Sequence, residues 1–549
     1  MAQLYAVTNT TPKGLARGAV TQAHEAYAFP APTLGVDSRQ AYANSNPQTA
    51  VTIHNCFARS FGLELRAGYT SWGKMPDGVS AVTLMPYISH SGSTGSRLFA
   101  AASDGKVYDV TVQDIVTPAV DVATIPGQVN NGEAHWLNFV TEGGNYLVMI
   151  FPGGGYWTYG ETAGFVQHIE GTAAGDIEGV DPDTFVYAFA WENRLWFVEG
   201  KTAKAWFLPV KTLAGKASMF DFGSMFTRGG ELSIGASWTV DGGGDGGGMA
   251  DSLVLISSEG DVLIYGGEDP TDATKFHING RWFVGRVPVG RRYITRFGAN
   301  MAVLSERGLL LMSEVLRGDG DDPQKAAASR INQILQPIIR SSMTSRFWEL
   351  KVLPDVNALV INVPTTATAN DYIWAFDLTA FGASQMVNFP FTNIEVYQGR
   401  SYACDELGNV WQLWSGDSDG SIGTADGADL QGFVQTAFVP LNEAIKWKRF
   451  IMGRCGFRAS SAPAVTLRLN SDWSFDPPGL TPVYTVESQS LWDAAVWDVG
   501  VWGGNLRTYK AWTGISGMGH YASMTVSFKA PPGAIFTDWD CVVESGGIL

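Results

Sequence analysis

The chain has 549 residues, of which 45 % are hydrophobic and only 16 % are charged. This is the composition of a folded globular protein and excludes extensive disorder. The formal net charge of −16 argues against tight binding of nucleic acid, because duplex binding needs clustered Lys and Arg to displace counterions. Large aromatic side chains and glycines are frequent, with 19 Trp and 64 Gly, which predicts a β-rich, turn-rich protein.

Four cysteines, at positions 56, 404, 455 and 541, lie far apart and form no CxxC pair. They predict neither a disulfide framework nor a zinc site, but reduced thiols in a cytosol. The N-terminal sequence MAQLYAVTNTTPKG lacks the basic and then apolar pattern of a signal peptide. No apolar run approaches the roughly 18 residues that a membrane helix needs, so we expect a soluble protein without a membrane segment.

Residues 1–61 show little periodicity and are rich in Pro, Asn, Thr and Ser. They predict an N-terminal arm, which is either a disordered tail or an extended segment docked on the body or on a neighbouring subunit. The aromatic residues Tyr27, Phe29, Phe57 and Phe61 favour docking as much as composition favours disorder.

From residue 62 a strand-turn-strand unit recurs at intervals of roughly 40 to 65 residues, which is typical of radial β repetition. Within each unit the apolar period is near two, as in antiparallel strands, and Gly, Asn or Asp marks the turn. The clearest stretch, 357–414, holds four β-prone runs and therefore resembles one complete blade. The predicted hairpins cover 97–112, 145–159, 187–208, 252–265 and 301–315, and two more turn near Thr366 and Gly408.

These patterns predict a mainly β chain with a β-propeller of about six to eight blades over 62–416. Residues 417–430 are rich in Gly, Ser and Asp and are predicted to be a linker. Further β-prone runs predict a separate, β-sandwich-like C-terminal domain over 431–549.

A helical insertion is predicted at 322–350, where the apolar residues follow three- and four-residue spacing and Pro337 bends or breaks the helix. These apolar residues form a stripe along one face of the helix, which either packs on the propeller or acts at a subunit contact. Its apolar residues are Ile331, Ile334, Leu335, Ile338 and Ile339.

Motifs for chemistry are missing from the sequence. The seven histidines form no HxH or HExxH pair, no GxSxG elbow is present, and the glycine runs lack the Lys-Ser/Thr of a phosphate loop. We therefore predict no catalytic, cofactor-binding or metal-binding residues and no enzymatic activity. A pair of carboxylates drawn from two blades would be the exception, as in glycoside hydrolysis.

One basic concentration stands out in the stretch RWFVGRVPVGRRYITRFG. Basic residues with aromatics between them are typical of a nucleic-acid surface, but pairing with acidic groups of an adjacent subunit explains them as well. We predict a subunit interface. The residues are Arg281, Arg286, Arg291, Arg292 and Arg296.

A second unusual stretch, LWDAAVWDVGVWGG, places Trp492, Trp497 and Trp502 at five-residue intervals. The tryptophans either pack between hairpins or form an exposed row that docks a partner protein or a sugar.

Several segments, in order, resemble the tail nozzle proteins of short-tailed phages, a family also called tail tubular protein B or packaged-DNA stabilization protein. They span about residues 51–414. The segments are VTIHNCFARSFGLELRAGYTSW with TLMPYI, SRLFAAASDGKVYDVT, ENRLWFVEGKTAKAWFLPV, FVGRVPVGRR with NMAVLSERGLLLMSEVL, and FWELKVLPDVNALVINVPT with YIWAFDLTAFGASQM and YACDELGNVWQL.

The resemblance implies a structural virion protein whose β-propeller subunits form a homo-hexamer below the portal and adaptor. Its neighbours would be adaptor or portal-proximal proteins and tail fibres or tip proteins, and genomic DNA would make transient, non-specific contact with the channel. The expected location is the virion tail, with assembly in the host cytoplasm. The family supplies no catalytic residues to assign here. Two alternatives remain: a carbohydrate-binding or glycan-hydrolysing propeller that recognises a receptor, and a soluble scaffold of a bacterial assembly.

Overall fold

The computed structural model describes residues 24–39, 41–127, 132–240, 250–272, 274–298, 300–316, 329–364, 370–423, 425–441, 444–484 and 506–546. Statements about structure refer to these residues. Antiparallel strands dominate them and form a β-propeller joined to a second, two-sheeted β domain.

The N-terminal segment supplies five strands before the first blade begins. They are β1 (His24–Pro30), β2 (Ala50–His54), β3 (Cys56–Arg59), β4 (Gly62–Leu65) and β5 (Tyr69–Lys74).

Four consecutive four-stranded sheets form the first half of the ring, and each is a meander of antiparallel neighbours. A short parallel pair, β14 (Ile177–Glu178) with β18 (Gly215–Lys216), flanks the third sheet. The four sheets are β6 (Ala81–Ser89), β7 (Gly92–Ala102), β8 (Lys106–Asp109) and β9 (Val120–Thr124); β10 (His135–Thr141), β11 (Gly144–Phe151), β12 (Gly155–Gly160) and β13 (Gly164–His168); β15 (Phe185–Trp191), β16 (Arg194–Glu199), β17 (Lys204–Phe207) and β19 (Ser218–Asp221); and β20 (Leu232–Val240), β21 (Ala250–Ser257), β22 (Asp261–Gly267) and β23 (Phe276–Phe283).

The second half holds a three-stranded sheet and two four-stranded blades. The last blade takes its fourth strand from the N-terminal segment, since β5 pairs with β33 and closes the ring. The elements are β24 (Ile294–Phe297), β25 (Asn300–Ser305), β26 (Gly308–Leu311), α1 (Met312–Leu316) and α2 (Asn332–Ser341); β27 (Glu349–Leu353), β28 (Ala358–Pro364), β29 (Asn370–Asp377) and β30 (Ala383–Val387); and β31 (Phe391–Tyr397), β32 (Arg400–Asp405) and β33 (Asn409–Leu413).

Six blades are thus four-stranded, and the three-stranded sheet lies between the fourth and the fifth of them. Neighbouring sheets contact each other all the way round, from β6 to β31 and back to β6, largely through their first strands, which therefore surround the ring axis. The predicted propeller is confirmed. All seven predicted hairpins are present as paired strands. At the β15–β16 turn, Glu192 and Asn193 both adopt positive φ, of 48° and 54°, as a tight hairpin requires.

The C-terminal domain is built from both ends of the chain. One sheet extends the blade β27–β30: strand β2 pairs beside β30, and strands from the C-terminal part of the chain follow it. In the other sheet, strands from both ends of the chain pair with the last strand of the protein. Phe457 and Phe528 bring the two sheets together with ring centroids 5.0 Å apart, as in a β-sandwich. Two short strands, β34 (Ser418–Ser421) and β35 (Ala428–Asp429), extend the sheet of the last blade beside β5. The strands that the C-terminal part of the chain gives to this domain are β36 (Gly432–Thr436), β37 (Lys448–Ala459), β38 (Ala464–Ser471), β39 (Arg507–Lys510), β40 (Thr513–Gly519), β41 (Ala522–Lys529) and β42 (Ile535–Ser545).

The predicted boundaries differ from this arrangement at two places. Residues 24–61 were expected to belong to an arm, either disordered or docked, but their strands β1 to β3 are integral to the C-terminal domain, where β1 pairs with β42 over seven residues. The expected linker, 417–430, adds β34 and β35 beside β5. Both segments have polar, Gly- or Pro-containing sequences, which do not favour strands by themselves. They form strands because their backbones pair with partners that are distant in the sequence.

The helical insertion is shorter than 322–350. Helix α2 covers ten residues with Pro337 inside it, and from Glu349 the chain is already a strand of the next blade. Ile331, Leu335 and Ile339 of the predicted stripe are buried, whereas Ile334 is exposed. The stripe therefore packs on the propeller core, as one of the two interpretations required.

All four cysteines are free and buried. Burial raises the pKa of each thiol, which disfavours the reactive thiolate. Within the described ranges, no helix is both long and apolar enough to span a membrane.

Candidate functional site

A polar pocket of about 190 Å³ lies where the first strands of several blades meet at the ring axis. We call it the axial pocket. Backbone segments from five different sheets approach each other there, and each contributes between one and four residues. The lining residues are Ala134, His135, Trp136, Tyr187, Arg291, Arg292, Ile294, Thr295, Glu349, Leu350, Lys351 and Glu395.

Glu349 is the most deeply buried carboxylate of the axial pocket, with 3 % of its surface exposed. Its two oxygens accept hydrogen bonds from Asn393 Nδ2 (2.7 Å) and from the backbone N–H of Ile394 (2.9 Å). Burial and the nearby Glu395 raise the pKa of Glu349 to about 7, although Arg292 and Lys351 oppose the shift. A carboxyl group that holds its proton near neutral pH is a possible general acid, and it also makes stability depend on pH.

We expect the contribution of Glu349 to the stability of the fold to fall as pH rises from about 5 to about 7, because Glu349 binds its proton more tightly in the folded chain than in the unfolded chain. A pKa of about 7 against an ordinary 4.5 corresponds to about 3 kcal/mol of unfolding free energy that is present at low pH and lost above pH 7. Glu349→Gln should remove this component. Urea unfolding at pH 5 and pH 8 measures it, with Glu259→Gln as the control because Glu259 is only half-buried. Identical pH profiles for wild type and Glu349→Gln would contradict it.

The cations of the axial pocket are engaged within the chain. Lys351 Nζ donates to Glu395 Oε2 and lies 5.5 Å from the ring centroid of Trp136. Arg292 Nη2 donates to the hydroxyl of Thr83. Arg291 Nε donates to the Ser233 carbonyl at 3.2 Å, and its Nη2 lies 3.5 Å from Glu231.

His135 and Glu133 extend this network. Nε2 of His135 lies 3.5 Å from the Glu133 carboxylate, and its ring meets Tyr187 edge-on at 5.2 Å. Burial lowers the pKa of His135, which favours the neutral ring. Burial opposes ionisation of Glu133, but His135 and the two nearby arginines outweigh it and lower the pKa of this carboxyl. Acidic and basic side chains from five sheets thus pair around the axis, and these contacts hold the sheets together.

The structure divides the five predicted arginines. Arg291 and Arg292 line the axial pocket, whereas Arg281, Arg286 and Arg296 are exposed. Arg281 contacts the sulfur of Met225, and Arg286 lies 3.4 Å from Glu259. A shared role at a subunit interface stays a prediction for the three exposed residues. The predicted tryptophans Trp492, Trp497 and Trp502 lie outside the described residues.

Sequence reasoning missed the axial residues Glu349, Lys351, Glu395 and His135. Glu349 and Lys351 share strand β27, but His135 and Glu395 are distant in the sequence, and only the ring brings these three positions together. The available signal is positional, because these residues lie in or beside the first strand of a blade. Among the residues that the structure describes, no group of three or more His, Cys, Asp or Glu side chains could hold a metal ion.

A larger cleft of about 640 Å³ lies between the last blade and the C-terminal domain. Arg59 borders it and donates to Glu64 (2.9 Å), to Asp377 (2.6 Å) and to the carbonyl of Val356 (2.8 Å). Trp414 lines the same cleft, in contact with Phe57. Ion pairs and aromatic contacts from both domains therefore hold the walls of the cleft together.

No family model matches the chain, and no curated protein matches it. Three solved structures are similar over part of it: BBS1N in a complex with ARL6DN (10 % identity, TM-score 0.27, 43 % of this chain and 66 % of that chain), the computationally designed Ika8 protein (11 %, 0.34, 63 % and 99 %), and YCF48 bound to D1 peptide (9 %, 0.28, 63 % and 97 %). Since all three TM-scores are below 0.5, none of these likenesses bears on the function of this chain, and its fold rests on its own strand pairing.

Proposed function

We propose that this chain is a structural virion protein, a tail nozzle subunit of a short-tailed phage, and that six copies surround the channel through which DNA leaves. The observation that carries the proposal is the agreement between the resemblance and the ring. The segments that resemble the nozzle family lie, in chain order, in the closing strand β5, the first and third blades, the three-stranded sheet and the last two blades, where β33 pairs with β5. The resemblance is therefore spread around the ring rather than confined to one motif, although it skips the second blade and nearly all of the fourth.

The chemistry of the axial pocket supports a mechanical role. Its arginines, its lysine and Glu395 bond to groups of the same chain, so these charges brace the blades against each other. A net charge of −16 would let a polyanion pass without being held, because like charges repel.

An exposed aliphatic patch at the outer edge of the first blade supports self-association. We call it the rim patch. Strand β9 is the free edge of its sheet, and Val112, Val116 and Val120 are 77 %, 80 % and 69 % exposed. Val122 of β9 is also exposed. Exposed apolar residues on an edge strand and on the loop that leads to it mark a protein contact, and a second copy of this chain would cover them in a ring.

The purified chain should form a six-fold ring. Six chains of 59.1 kDa give a particle near 350 kDa, which light scattering and electron microscopy of the purified protein would show. A chain that stays at 59.1 kDa and is absent from isolated phage tails would contradict the proposal.

The rim patch can be tested separately. Val116→Arg with Val120→Arg should convert the ring into single chains without changing the thermal unfolding of each chain, because both side chains are exposed and an uncompensated charge is costly at an interface. Val140→Arg is the matched control, since Val140 is an exposed valine on the second blade. A ring that survives the double substitution would remove the rim patch from the interface and leave the proposed function standing.

A further inference from the structure

Three exposed aromatic rings meet on the surface of the C-terminal domain. Tyr42 comes from the 3-10 turn Tyr42–Asn44 of the N-terminal segment, and Trp473 and Phe475 come from the loop after β38. The ring centroids of Tyr42 and Trp473 are 5.8 Å apart with 27° between their planes, and those of Tyr42 and Phe475 are 5.7 Å apart. The exposed fractions are 42 % for Tyr42, 37 % for Trp473 and 52 % for Phe475.

Two further aromatic side chains, Phe438 and Tyr521, pack against the exposed rings. Phe438 is fully buried, and its centroid lies 5.1 Å from that of Trp473 and 5.8 Å from that of Phe475. Tyr521 contacts Trp473 from another side at 4.8 Å. The exposed faces are therefore held in place rather than free to rotate.

The loop that presents Trp473 is strained. Asp472 and Trp473 both have positive φ, of 43° and 69°, a backbone conformation that is unfavourable for residues with a side chain. The Asp472 carboxylate holds this shape by accepting from the backbone N–H groups of His520 (2.8 Å) and Tyr521 (2.9 Å). Strain that the surroundings enforce at an exposed tryptophan is typical of a binding site.

Polar groups border the rings. Arg468 Nη2 and Asp476 Oδ2 form a 2.6 Å ion pair, and both side chains are about half exposed. Asp472 lies 3.4 Å from the imidazole of His520. Planar carboxylate and guanidinium groups can hydrogen-bond the hydroxyls of a ligand, and the border lacks the cluster of like charges that a charged ligand would need.

From this geometry we propose that Tyr42, Trp473 and Phe475 form a saccharide-binding platform, on which the C–H face of a neutral sugar stacks while the bordering polar groups bind its hydroxyls. Each ring offers about 150–250 Å² in total, of which roughly half or less is exposed, so the platform is far smaller than the ~800 Å² per partner of a stable protein interface. This proposal is independent of the nozzle function, since it concerns the C-terminal domain alone.

The test is binding of the full-length chain to an array of neutral oligosaccharides that includes β-1,4-linked glucose, β-1,4-linked N-acetylglucosamine and α-1,4-linked glucose hexamers. Titration calorimetry of the oligosaccharides retained then gives affinities. Trp473→Ala and Phe475→Ala should each weaken binding by about tenfold or more, as expected for a central aromatic contact.

Trp512→Ala is the matched control, because Trp512 is 39 % exposed in the same domain but lies outside the platform, beneath Arg454. It should bind like wild type, and thermal unfolding of all three variants checks their folding. Failure to retain any neutral oligosaccharide, or equal binding by Trp473→Ala and wild type, overturns the proposal. So does a platform that instead captures a tail protein in a manner sensitive to Trp473→Ala.

Discussion

Arg66→Ala is expected to destabilise the chain by about 3–5 kcal/mol, because it leaves the buried carboxylate of Asp419 without its counter-charge. The side chains of Arg66 and Asp419 are 0 % and 2 % exposed, and two parallel hydrogen bonds of 2.7 and 2.6 Å join them. Arg66 also donates to the Asn55 side chain and to the carbonyls of Ala67 and Val387. One guanidinium thus joins the N-terminal segment, the end of β30 and the strand added beside the last blade.

Urea unfolding of wild type and Arg66→Ala measures this loss. Lys106→Ala is the control, since Lys106 and Asp121 form a 3.3 Å pair with both side chains substantially exposed. Such pairs contribute about 0–1 kcal/mol, so the control should unfold nearly like wild type. Equal losses of unfolding free energy in the two variants would show that burial does not increase the contribution of the Arg66–Asp419 pair to stability.

Gly408→Ala is expected to cost at least about 3 kcal/mol, through backbone strain and steric overlap together. Gly408 has φ of +83°, and a Cβ there would lie 2.2 Å from the carbonyl oxygen of Val79. The Gly408 carbonyl also accepts the N–H of Met75 at 2.7 Å. The substitution would therefore push β33 away from the chain that leads from β5 into the first blade, and so weaken ring closure.

Gly399→Ala separates the two causes. Gly399 has a similar φ of +76°, but nothing lies within 4 Å of the position of its Cβ. This variant should lose only the strain component, about 1–2 kcal/mol. Thermal unfolding of both variants gives the comparison, and a loss at Gly399 as large as that at Gly408 would refute the steric explanation.

The propeller could be predicted from the sequence because the sequence features that specify its hairpins are local. Alternating apolar runs and Gly, Asn or Asp turns are properties of neighbouring residues, as at Glu192-Asn193 and Gly408, and the structure confirms the hairpins they predicted. The stripe on α2 was recognisable for the same reason, although the sequence could not show that the helix ends before Glu349. β-branched and aromatic residues from that point favour a strand only when a neighbour is there to pair with it.

The composition of the C-terminal domain could not be predicted, because its pairings are not local. Nothing in the sequence His24–Pro30 specifies β42 as its partner, and any half-buried strand would fit the same alternation. The axial pocket escaped notice in the same way. Glu349 and Glu395 belong to different blades, and no motif relates one to the other.

Pairing between the two ends of the chain has a consequence for biosynthesis. Arg66 leaves the ribosome 353 positions before Asp419. At about 5–20 residues per second, it waits roughly 20–70 s for that partner. During this interval β1, β2 and β5 await distant partner strands, whereas β3 and β4 pair with each other. The unpaired strands of the nascent polypeptide are therefore exposed to aggregation.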